Sequence, residues 1–316
     1  MKILYAGSPD ISVTPLRHLV EENNHQLVGV LTNPPSSQGR SKTPIATPVA
    51  QYAQEIGIPV LEPEKLTAEV REAVAQLQPD ILVCFAYGKI FGPKFMALFP
   101  QGGINIHPSL LPKYRGCAPV PAAILNQESE TGVSIQRIAQ EMDTGNILCQ
   151  KVISLNGTEN SQTLLEKASF LGAEMVAEVL ENISCGKVTE IEQDNSQATY
   201  SSLLEKKDGL IDWSKSAAAI DAKIRAFFPW PGAFTQVNNL QLRIHAARVF
   251  DTIEDENLYK DEPCGKVLYY SKQQGFIVKC GQGFLALQEL QLQAKKAMDY
   301  KAFYNGNQNF VGSCLL

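Results

Sequence analysis

The beginning of the chain alternates between apolar runs and a helical pattern. Residues 3–6 form a short apolar run that ends at Gly7, which is typical of a buried strand followed by a tight turn. In residues 12–22 the apolar side chains recur at helical spacing, and residues 26–32 form a second apolar run. The order strand, helix, strand predicts the opening βαβ unit of a parallel sheet.

The same alternation continues to about residue 183. The nearly all-apolar residues 80–85 indicate a central parallel strand, because such a strand is buried on both faces. Further helices and strands are predicted, in chain order, at 48–56, 59–61, 68–77, 104–106, 131–138, 147–153 and 164–183. We therefore predict an α/β fold with a Rossmann-like, mostly parallel sheet flanked by helices. The first turn lacks the G-x-G-x-x-G pattern, so a dinucleotide-binding site is not expected there.

A polar stretch without clear periodicity, residues 193–208, precedes a second pattern. Residues 217–227 have the spacing of one helix, and short apolar runs with glycine-bearing turns follow. Five strands are predicted, at 233–237, 240–249, 265–270, 275–280 and 283–292. Such a series is typical of a small β-barrel of the oligonucleotide-binding (OB) type, although small sandwiches give similar patterns. We predict a first domain over 1–200, a linker over 201–208 and an OB-like domain over 209–316.

Composition is that of a globular protein with a large core. The chain has 316 residues, of which 44% are apolar. The apolar run near Met1 is too short for a signal peptide and no apolar segment reaches the length of a membrane span, so we expect a soluble, cytoplasmic protein. Seven cysteines and four histidines occur without any C-x-x-C pair, and no metal site or disulfide framework is expected.

The charge is distributed unevenly along the chain. The net charge of −5 argues, by itself, against a nucleic-acid partner. However, residues 1–200 carry 14 Lys and Arg against 21 Asp and Glu, whereas residues 201–316 carry 14 against 12. Six of those 12 acidic residues lie within 251–262, so the rest of the second part is basic. A polyanionic partner that contacts mainly this second part is compatible with the sequence, and so is an ordinary solvated surface.

The stretch N-I-H-P-S-L-L-P-K-Y-R-G, residues 105–116, carries the candidate chemistry. Asn105 and His107 would point to one face of a strand that Pro108 ends, at the sheet edge where α/β proteins bind ligands. An Asn amide can donate to a carbonyl oxygen that gains negative charge, and a His can move the proton of an attacking amine. The pair therefore suits acyl-type transfer, with Asp143 as the carboxylate that orients His107. Taken alone, His107 would be interpreted as a structural histidine that donates to a nearby backbone group, and it is Asn105 and the following turn that favour the functional interpretation.

These residues resemble a known family. N-x-H-x-S-L-L-P followed by R-G, with D-T-G at 143–145, is similar to the folate-dependent formyltransferases. The likeness to the methionyl-tRNA formyltransferases covers nearly the whole chain. It rests on further segments at 6–10, 86–88, 131–133, 198–200, 211–214, 224–227, 229–231 and 292–298. One departure is V-P-A at 120–122, where that family usually has Gln and Arg.

The resemblance implies a reaction and roles for three residues. The formyl group of 10-formyltetrahydrofolate would be transferred to the α-amino group of methionyl initiator tRNA, for translation initiation. Asn105 would hold the formyl oxygen, and His107 would manage the proton of the attacking amine. Asp143 would orient or charge-stabilise His107. No metal is needed for this reaction.

The resemblance also implies binding residues for both substrates. The folate would lie against the turn formed by Ser109, Leu110, Leu111 and Pro112. The basic residues expected to contact tRNA phosphates are Arg40, Lys42, Lys206, Lys207, Lys295 and Lys296. Arg40 and Lys42 belong to a loop that the family carries as a G-R-G-K type, with Ser41 here in place of the second glycine. The protein is expected to act as a monomer without a membrane partner.

Three alternatives share parts of this pattern. A sugar-nucleotide (UDP-aminosugar) formyltransferase has the same catalytic core, but it would not need Arg40 and Lys42. A 10-formyltetrahydrofolate hydrolase would use water as the acceptor. A tRNA-binding protein with an inactive core would bind tRNA without folate turnover, and the joint presence of Asn105, His107 and Asp143 argues against it.

Overall fold

The chain folds into two compact units. The computed structural model describes residues 1–22, 24–37, 43–250 and 256–316, with the backbone alone at 256 and 257. The first unit comprises Met1–Pro119, Glu130–Ser154 and Leu165–Ser201. The second unit comprises Val120–Ser129, Leu155–Leu164 and Ser202–Leu316.

Eleven strands and six helices are described within residues 1–201. The strands are β1 (Lys2–Gly7), β2 (Gln26–Leu31), β3 (Ser36–Ser37), β4 (Pro44–Ile45), β5 (Val60–Leu61), β6 (Ile81–Phe85), β7 (Gly103–His107), β8 (Arg115–Gly116), β9 (Glu130–Arg137), β10 (Ile147–Ser154) and β11 (Tyr200–Ser201). The helices are α1 (Val13–Glu22), α2 (Pro48–Glu55), α3 (Ala68–Leu77), α4 (Pro93–Met96), α5 (Pro119–Leu125) and α6 (Ser161–Ser184).

A seven-stranded sheet forms the centre of the first unit. Its order is β10-β9-β7-β6-β1-β2-β5. The strands from β7 to β5 run parallel, whereas β9 is antiparallel to both β7 and β10. All five residues of β6 are buried, as its apolar sequence predicts for a central strand. The predicted fold class, a mostly parallel Rossmann-like sheet flanked by helices, is confirmed.

Apolar side chains cover both faces of this sheet. On one face an aromatic ladder of Tyr87, Phe91, Phe95 and Phe99 packs with ring centroids 5.4 to 5.6 Å apart. On the other face helix α6 comes close to strand β7 at Gly172. A Cβ atom at Gly172 would lie only 2.6 Å from the Cγ2 of Ile106, so this contact requires glycine. The two layers fix the position of β7.

The neighbours of β7 determine what surrounds Asn105. Asn105 lies opposite Cys84 on β6 and opposite Gln136 on β9, and His107 lies opposite Ser134. Side chains of directly opposed residues point to the same face of a sheet, so Asn105 is flanked by Cys84 and Gln136.

The second unit is built around an antiparallel sheet. Its elements are α7 (Ala217–Ala226), β12 (Ala233–Val237), β13 (Leu240–Phe250), β14 (Val267–Ser271), β15 (Gly275–Lys279), β16 (Phe284–Leu292), β17 (Met298–Asp299) and α8 (Tyr300–Gly306). The strand order is β12-β13-β16-β15-β14, with β17 paired to β16. Trp213, Phe276 and Leu287 are among the buried residues of its core. The antiparallel C-terminal sheet is confirmed, and its classification as an OB barrel stays a prediction, as do the domain boundaries. Within the ranges described, no helix combines the length and apolar character needed to cross a membrane.

Candidate active site

The site lies where strand β7 ends. His107 is the last residue of the strand, because Pro108 has no backbone N–H to continue the ladder. The chain then turns, with the Ser109 N–H donating to the His107 carbonyl at 2.9 Å. His107 is only 4% exposed, and Asn105 is half-buried. Both side chains of the predicted pair therefore belong to the carboxyl end of a central strand.

The imidazole of His107 lies between two oxygen acceptors. Its Nε2 is 2.9 Å from the carbonyl oxygen of Tyr114, and its Nδ1 is 3.6 Å from Oδ1 of Asp143. A carbonyl oxygen can only accept, so Nε2 carries a proton and donates it to this bond. Nδ1 is then the nitrogen at which a second proton can be taken up, facing the carboxylate of Asp143. A cation formed on the ring would be stabilised there.

Asp143 is held in place by two donors. The Gly116 N–H donates to Oδ2 at 2.8 Å, and the Gln136 side-chain amide donates to Oδ1 at 2.8 Å. Asp143 itself has a φ of 57°, in the left-handed region that few residues other than Gly, Asn and Asp adopt. Its side chain is 11% exposed. These contacts fix the carboxylate beside His107, and its role towards that ring stays a prediction.

Asn105 differs from its neighbours because its side chain makes no hydrogen bond with the protein. Within the described part of the chain its carboxamide has no hydrogen-bond partner, and the residue is half-buried. A preorganised donor that is not satisfied by the protein suits a ligand oxygen. The neighbouring Cys84 is no rival nucleophile, because burial raises the pKa of its thiol to about 12 and the nearby Asp143 charge adds to that shift.

The turn predicted to hold folate is anchored from beneath. Ser134 Oγ donates to the Ser109 carbonyl at 2.6 Å and accepts from the Leu111 N–H at 3.1 Å. Gln150 Nε2 donates to the Leu111 carbonyl at 2.8 Å. Ser109 and Leu111 are buried, whereas Leu110 and Pro112 are half-buried. Leu110 and Pro112 are thus the members of the turn with side chains open to a ligand, and folate binding by the turn stays a prediction.

The residues predicted to contact tRNA fall into two groups along the chain. Arg40 and Lys42 lie outside the described residues. The four exposed lysines of the set belong to the second unit, namely Lys206, Lys207, Lys295 and Lys296. Lys207 pairs with Glu205 at 2.8 Å on the surface, a contact that contributes little to stability. Their proposed role in binding phosphates stays a prediction.

Several residues around the trio of Asn105, His107 and Asp143 had no role in the sequence analysis. Tyr114 and Gly116 act through backbone atoms, which leave no trace in residue type. Gln136, by contrast, has a detectable signal. It is a buried polar residue in β9, two positions after buried Ser134 and on the same face of that strand. Gln193, whose side-chain amide donates to the Asp143 carbonyl at 2.9 Å, lies in an aperiodic stretch without such a signal.

Two further observations concern a cavity and the side chains that could hold a metal ion. A cavity of about 240 Å³ in the second unit is lined by side chains that include Leu155, Asp221 and Arg225, and by none of the three candidate catalytic residues. In the portion of the chain that the structure describes, no group of three or more His, Cys, Asp or Glu side chains is arranged to hold a metal ion.

Comparison with known families gives the class of protein. The family model described as formyl transferase matches residues 1–180, which include Asn105, His107 and Asp143. The model described as formyl transferase, C-terminal domain, matches residues 203–308. The chain belongs to the formyl transferase family.

Individual relatives narrow this class. The methionyl-tRNA formyltransferase of Treponema denticola is 43% identical over 98% of both chains. That of Roseiflexus castenholzii is 42% identical over 94% of this chain and 93% of the relative. Among solved structures, an N-formyltransferase from Helicobacter canadensis in complex with folinic acid and dTDP-3-aminofucose has a TM-score of 0.67. It is 21% identical and covers 91% of this chain and 99% of its own, so it supports the fold alone.

Proposed function

We propose that the chain transfers the formyl group of 10-formyltetrahydrofolate to the α-amino group of methionyl initiator tRNA. The observation that carries the proposal is the arrangement at the end of β7. There an unengaged Asn105 amide lies on the same strand as a His107 ring whose Nδ1 faces Asp143 at 3.6 Å. The identity to methionyl-tRNA formyltransferases over nearly the whole chain supports the choice of acceptor.

The proposed chemistry gives each of Asn105, His107 and Asp143 a separate role. The amine nitrogen attacks the formyl carbon, and the carbonyl oxygen becomes an oxyanion that accepts a hydrogen bond from Asn105. The amine loses a proton to Nδ1 of His107, and Asp143 stabilises the resulting imidazolium. The bond between the formyl carbon and the folate nitrogen then breaks, and His107 returns the proton to that nitrogen.

The two substrates would be held by different parts of the chain. A folate co-substrate is supported by the Helicobacter canadensis protein of similar fold, whose structure is a complex with folinic acid. We propose that the folate lies against Leu110 and Pro112. Phosphates of tRNA would be contacted by Arg40 and Lys42 and by the exposed lysines of the second unit. The reaction would proceed in the cytoplasm, with the protein as a monomer.

The sugar-nucleotide alternative rests on structural similarity alone. The Helicobacter canadensis enzyme has a similar fold, but its 21% identity is half that of the tRNA enzymes. Hydrolysis would need water to reach the formyl carbon in place of the amine. Both alternatives use the same trio, so only the identity of the acceptor separates them.

One experiment tests the proposal. The full-length protein is incubated with 10-formyltetrahydrofolate labelled in the formyl group, separately with methionyl initiator tRNA, with a UDP-aminosugar, and with neither acceptor. We expect label in acid-precipitable tRNA and little release of formate without an acceptor. Label in the sugar nucleotide, or rapid release of formate in all three reactions, would contradict the proposal.

A further inference from the structure

A short segment after α6 braces the candidate active site from outside. We call residues 193–201 the connector. They follow the bridge between Ile147 and Ile191, and they end where the last segment of the second unit begins at Ser202. The last two residues of the connector, β11, pair with β8, so that Tyr200 lies opposite Arg115 and Ser201 opposite Gly116. Gly116 is the residue whose N–H holds Asp143.

Gln193 is a buried residue of the connector that contacts residues 143–145, which we call the Asp143 turn. It is 5% exposed, and its Nε2 donates to the backbone carbonyls of Asp143 at 2.9 Å and Gly145 at 2.7 Å. The same Nε2 lies 3.3 Å from Oε1 of Gln136, whose own amide donates to the Asp143 carboxylate. Gln193 therefore fixes the backbone of the turn and touches the residue that holds the carboxylate.

The other end of the Gln193 amide holds a buried charge. Its Oε1 accepts from Nε of Arg115 at 3.0 Å and from Nη2 at 2.8 Å, and Nη2 also donates to Asn195. Arg115 is 2% exposed, and the described acceptors of its guanidinium are the neutral side chains of Gln193 and Asn195. Burying a guanidinium among neutral partners is costly, so these acceptors have little freedom to move. The connector is thereby locked against the site.

The connector also reaches the other acceptor of the His107 ring. Oγ1 of Thr199 accepts from the Tyr114 N–H at 2.9 Å, and the Thr199 carbonyl accepts from the Arg115 N–H at 2.9 Å. The Tyr114 carbonyl is the group to which Nε2 of His107 donates. Both oxygens that face the imidazole are thus positioned by one nine-residue segment.

We propose that Gln193 is a positioning residue of formyl transfer. It holds the Asp143 turn so that the carboxylate faces Nδ1 of His107. This inference rests on the proposed function, because it requires that Asp143 and His107 act in the reaction. A purely structural role is the competing interpretation, since the same amide also stabilises buried Arg115. The two interpretations predict different behaviour when only the donor end of the amide is changed.

The Gln193→Glu variant distinguishes the positioning role from the purely structural role. The carboxylate keeps the size of the side chain and still accepts from Arg115, now as an ion pair, so the fold should be retained. However, an oxygen replaces Nε2 and would face the Asp143 and Gly145 carbonyl oxygens, which repel it. We expect kcat at saturating substrates to fall about tenfold or more, because small displacements of catalytic groups have effects of this size. KM for folate and for tRNA should change less than about threefold, since no substrate contact is removed.

The pH dependence of kcat in the variant separates the two interpretations, because a purely structural role predicts no change in its ratio to the wild-type kcat. As the pH falls, protonation of the introduced carboxylate restores one O–H donor towards the carbonyls. The ratio of variant to wild-type kcat should therefore rise at lower pH. Gln197→Glu is the matched control, because Gln197 is exposed and lies on the same connector, and among the described residues its side chain bonds only to Ser196. It should retain wild-type kcat at every pH.

The possible outcomes are distinct. An inactive wild-type protein would overturn the proposed function itself. With an active wild type, the inference is overturned if Gln193→Glu keeps kcat within about twofold, or loses activity only in parallel with its thermal stability. Should this variant fail to fold, a double variant, Arg115→Met with Gln193→Met, removes the buried charge and the donor together. A folded double variant with wild-type kcat would then refute the positioning role.

Discussion

Asn105 and His107 lie two residues apart on one strand, yet the protein treats them differently. The ring of His107 is fixed on both sides, by the Tyr114 carbonyl at 2.9 Å and by Asp143 at 3.6 Å. The Asn105 amide has no partner among the described residues and keeps its donors available. A fixed ring suits the proposed role of His107 in proton transfer. A free amide donor suits the proposed role of Asn105 towards an oxygen that gains negative charge.

Asn105→Asp tests that division at the level of one atom. The variant keeps the shape of the side chain but presents an acceptor to the formyl oxygen, so the oxyanion is no longer stabilised. We expect kcat to fall about a hundredfold or more, as when one donor to an oxyanion is removed. Single-turnover formyl transfer gives the rate, and tRNA affinity in a filter-binding assay should remain close to wild type. His107→Ala should behave in the same way; undiminished transfer by either variant would argue against the assigned chemistry.

Gly116 is the second residue at which one atom decides the geometry. It has a φ of 110°, and a Cβ there would lie 2.3 Å from the Ser201 carbonyl oxygen. Gly116→Ala should therefore lower the free energy of unfolding by about 3 kcal/mol and move the N–H that holds Asp143. Gly186→Ala is the matched control, because Gly186 has a φ of 63° but no atom within 4 Å of the added Cβ.

For this pair, we expect the control to lose only about 1 kcal/mol, the ordinary strain of the left-handed region. Urea unfolding of both variants, with transfer rates on the folded proteins, checks the difference. If the two substitutions cost the same, the close approach of β8 and β11 has no energetic consequence.

Among the elements, the strands were easier to predict than their directions. The all-apolar run of β6 and the proline after His107 define two neighbouring strands from local pattern alone. The reversal at β9 has no such signature, because periodicity reports which residues face the core and not which way a strand runs. It is this reversal that sets Gln136 opposite Asn105 and leads the chain into the Asp143 turn.

Other parts of the site could not be found in this way. β8 and β11 have two residues each, too few for a periodic pattern, and their pairing joins positions 115 and 200. Gln193 stands in a polar, aperiodic stretch, where nothing local distinguishes it from an exposed glutamine. Such contacts become visible only when the whole chain has folded.

Helix α7 contains a test of electrostatics. Asp221 accepts from Nε of Arg225 at 2.7 Å, one helical turn later, and both side chains are largely buried. Burial raises the pKa of Asp221 by more than the Arg225 charge lowers it. Because the folded state then binds this proton more tightly than the unfolded state, the contribution to stability is present at pH below the ordinary Asp range. It is lost as the pH rises through the raised pKa.

Asp221→Asn removes this titration. The difference in urea midpoint between wild type and variant should move against the wild type as the pH rises from about 4 towards neutrality. Equilibrium unfolding followed by circular dichroism at several pH values gives that difference. A difference that moves in favour of the wild type would mean that the ion pair outweighs burial.

At the scale of the whole molecule, charge is expected to govern the encounter with tRNA. The second part of the chain carries 14 basic against 12 acidic residues, whereas residues 1–200 carry 14 against 21. Arg40, outside the described residues, is one of the few cations of the acidic part that we expect at the tRNA.

Arg40→Glu should raise KM for tRNA and leave kcat nearly unchanged. The slope of log(kcat/KM) against log salt should become shallower by about one unit, because at least one phosphate contact is lost. Lys187→Glu, the same charge reversal at an exposed position after α6, serves as the control. Equal slopes of log(kcat/KM) against log salt for the two variants would mean that Arg40 does not contact tRNA phosphates.

The connector has a consequence for dissecting the enzyme. A fragment that stopped at residue 180, the limit of the first family match, would retain Asn105, His107 and Asp143. It would lack Gln193 and Thr199, and with them the supports of the Asp143 turn and of Tyr114. We therefore expect the shortest active piece of this polypeptide to extend through Ser201.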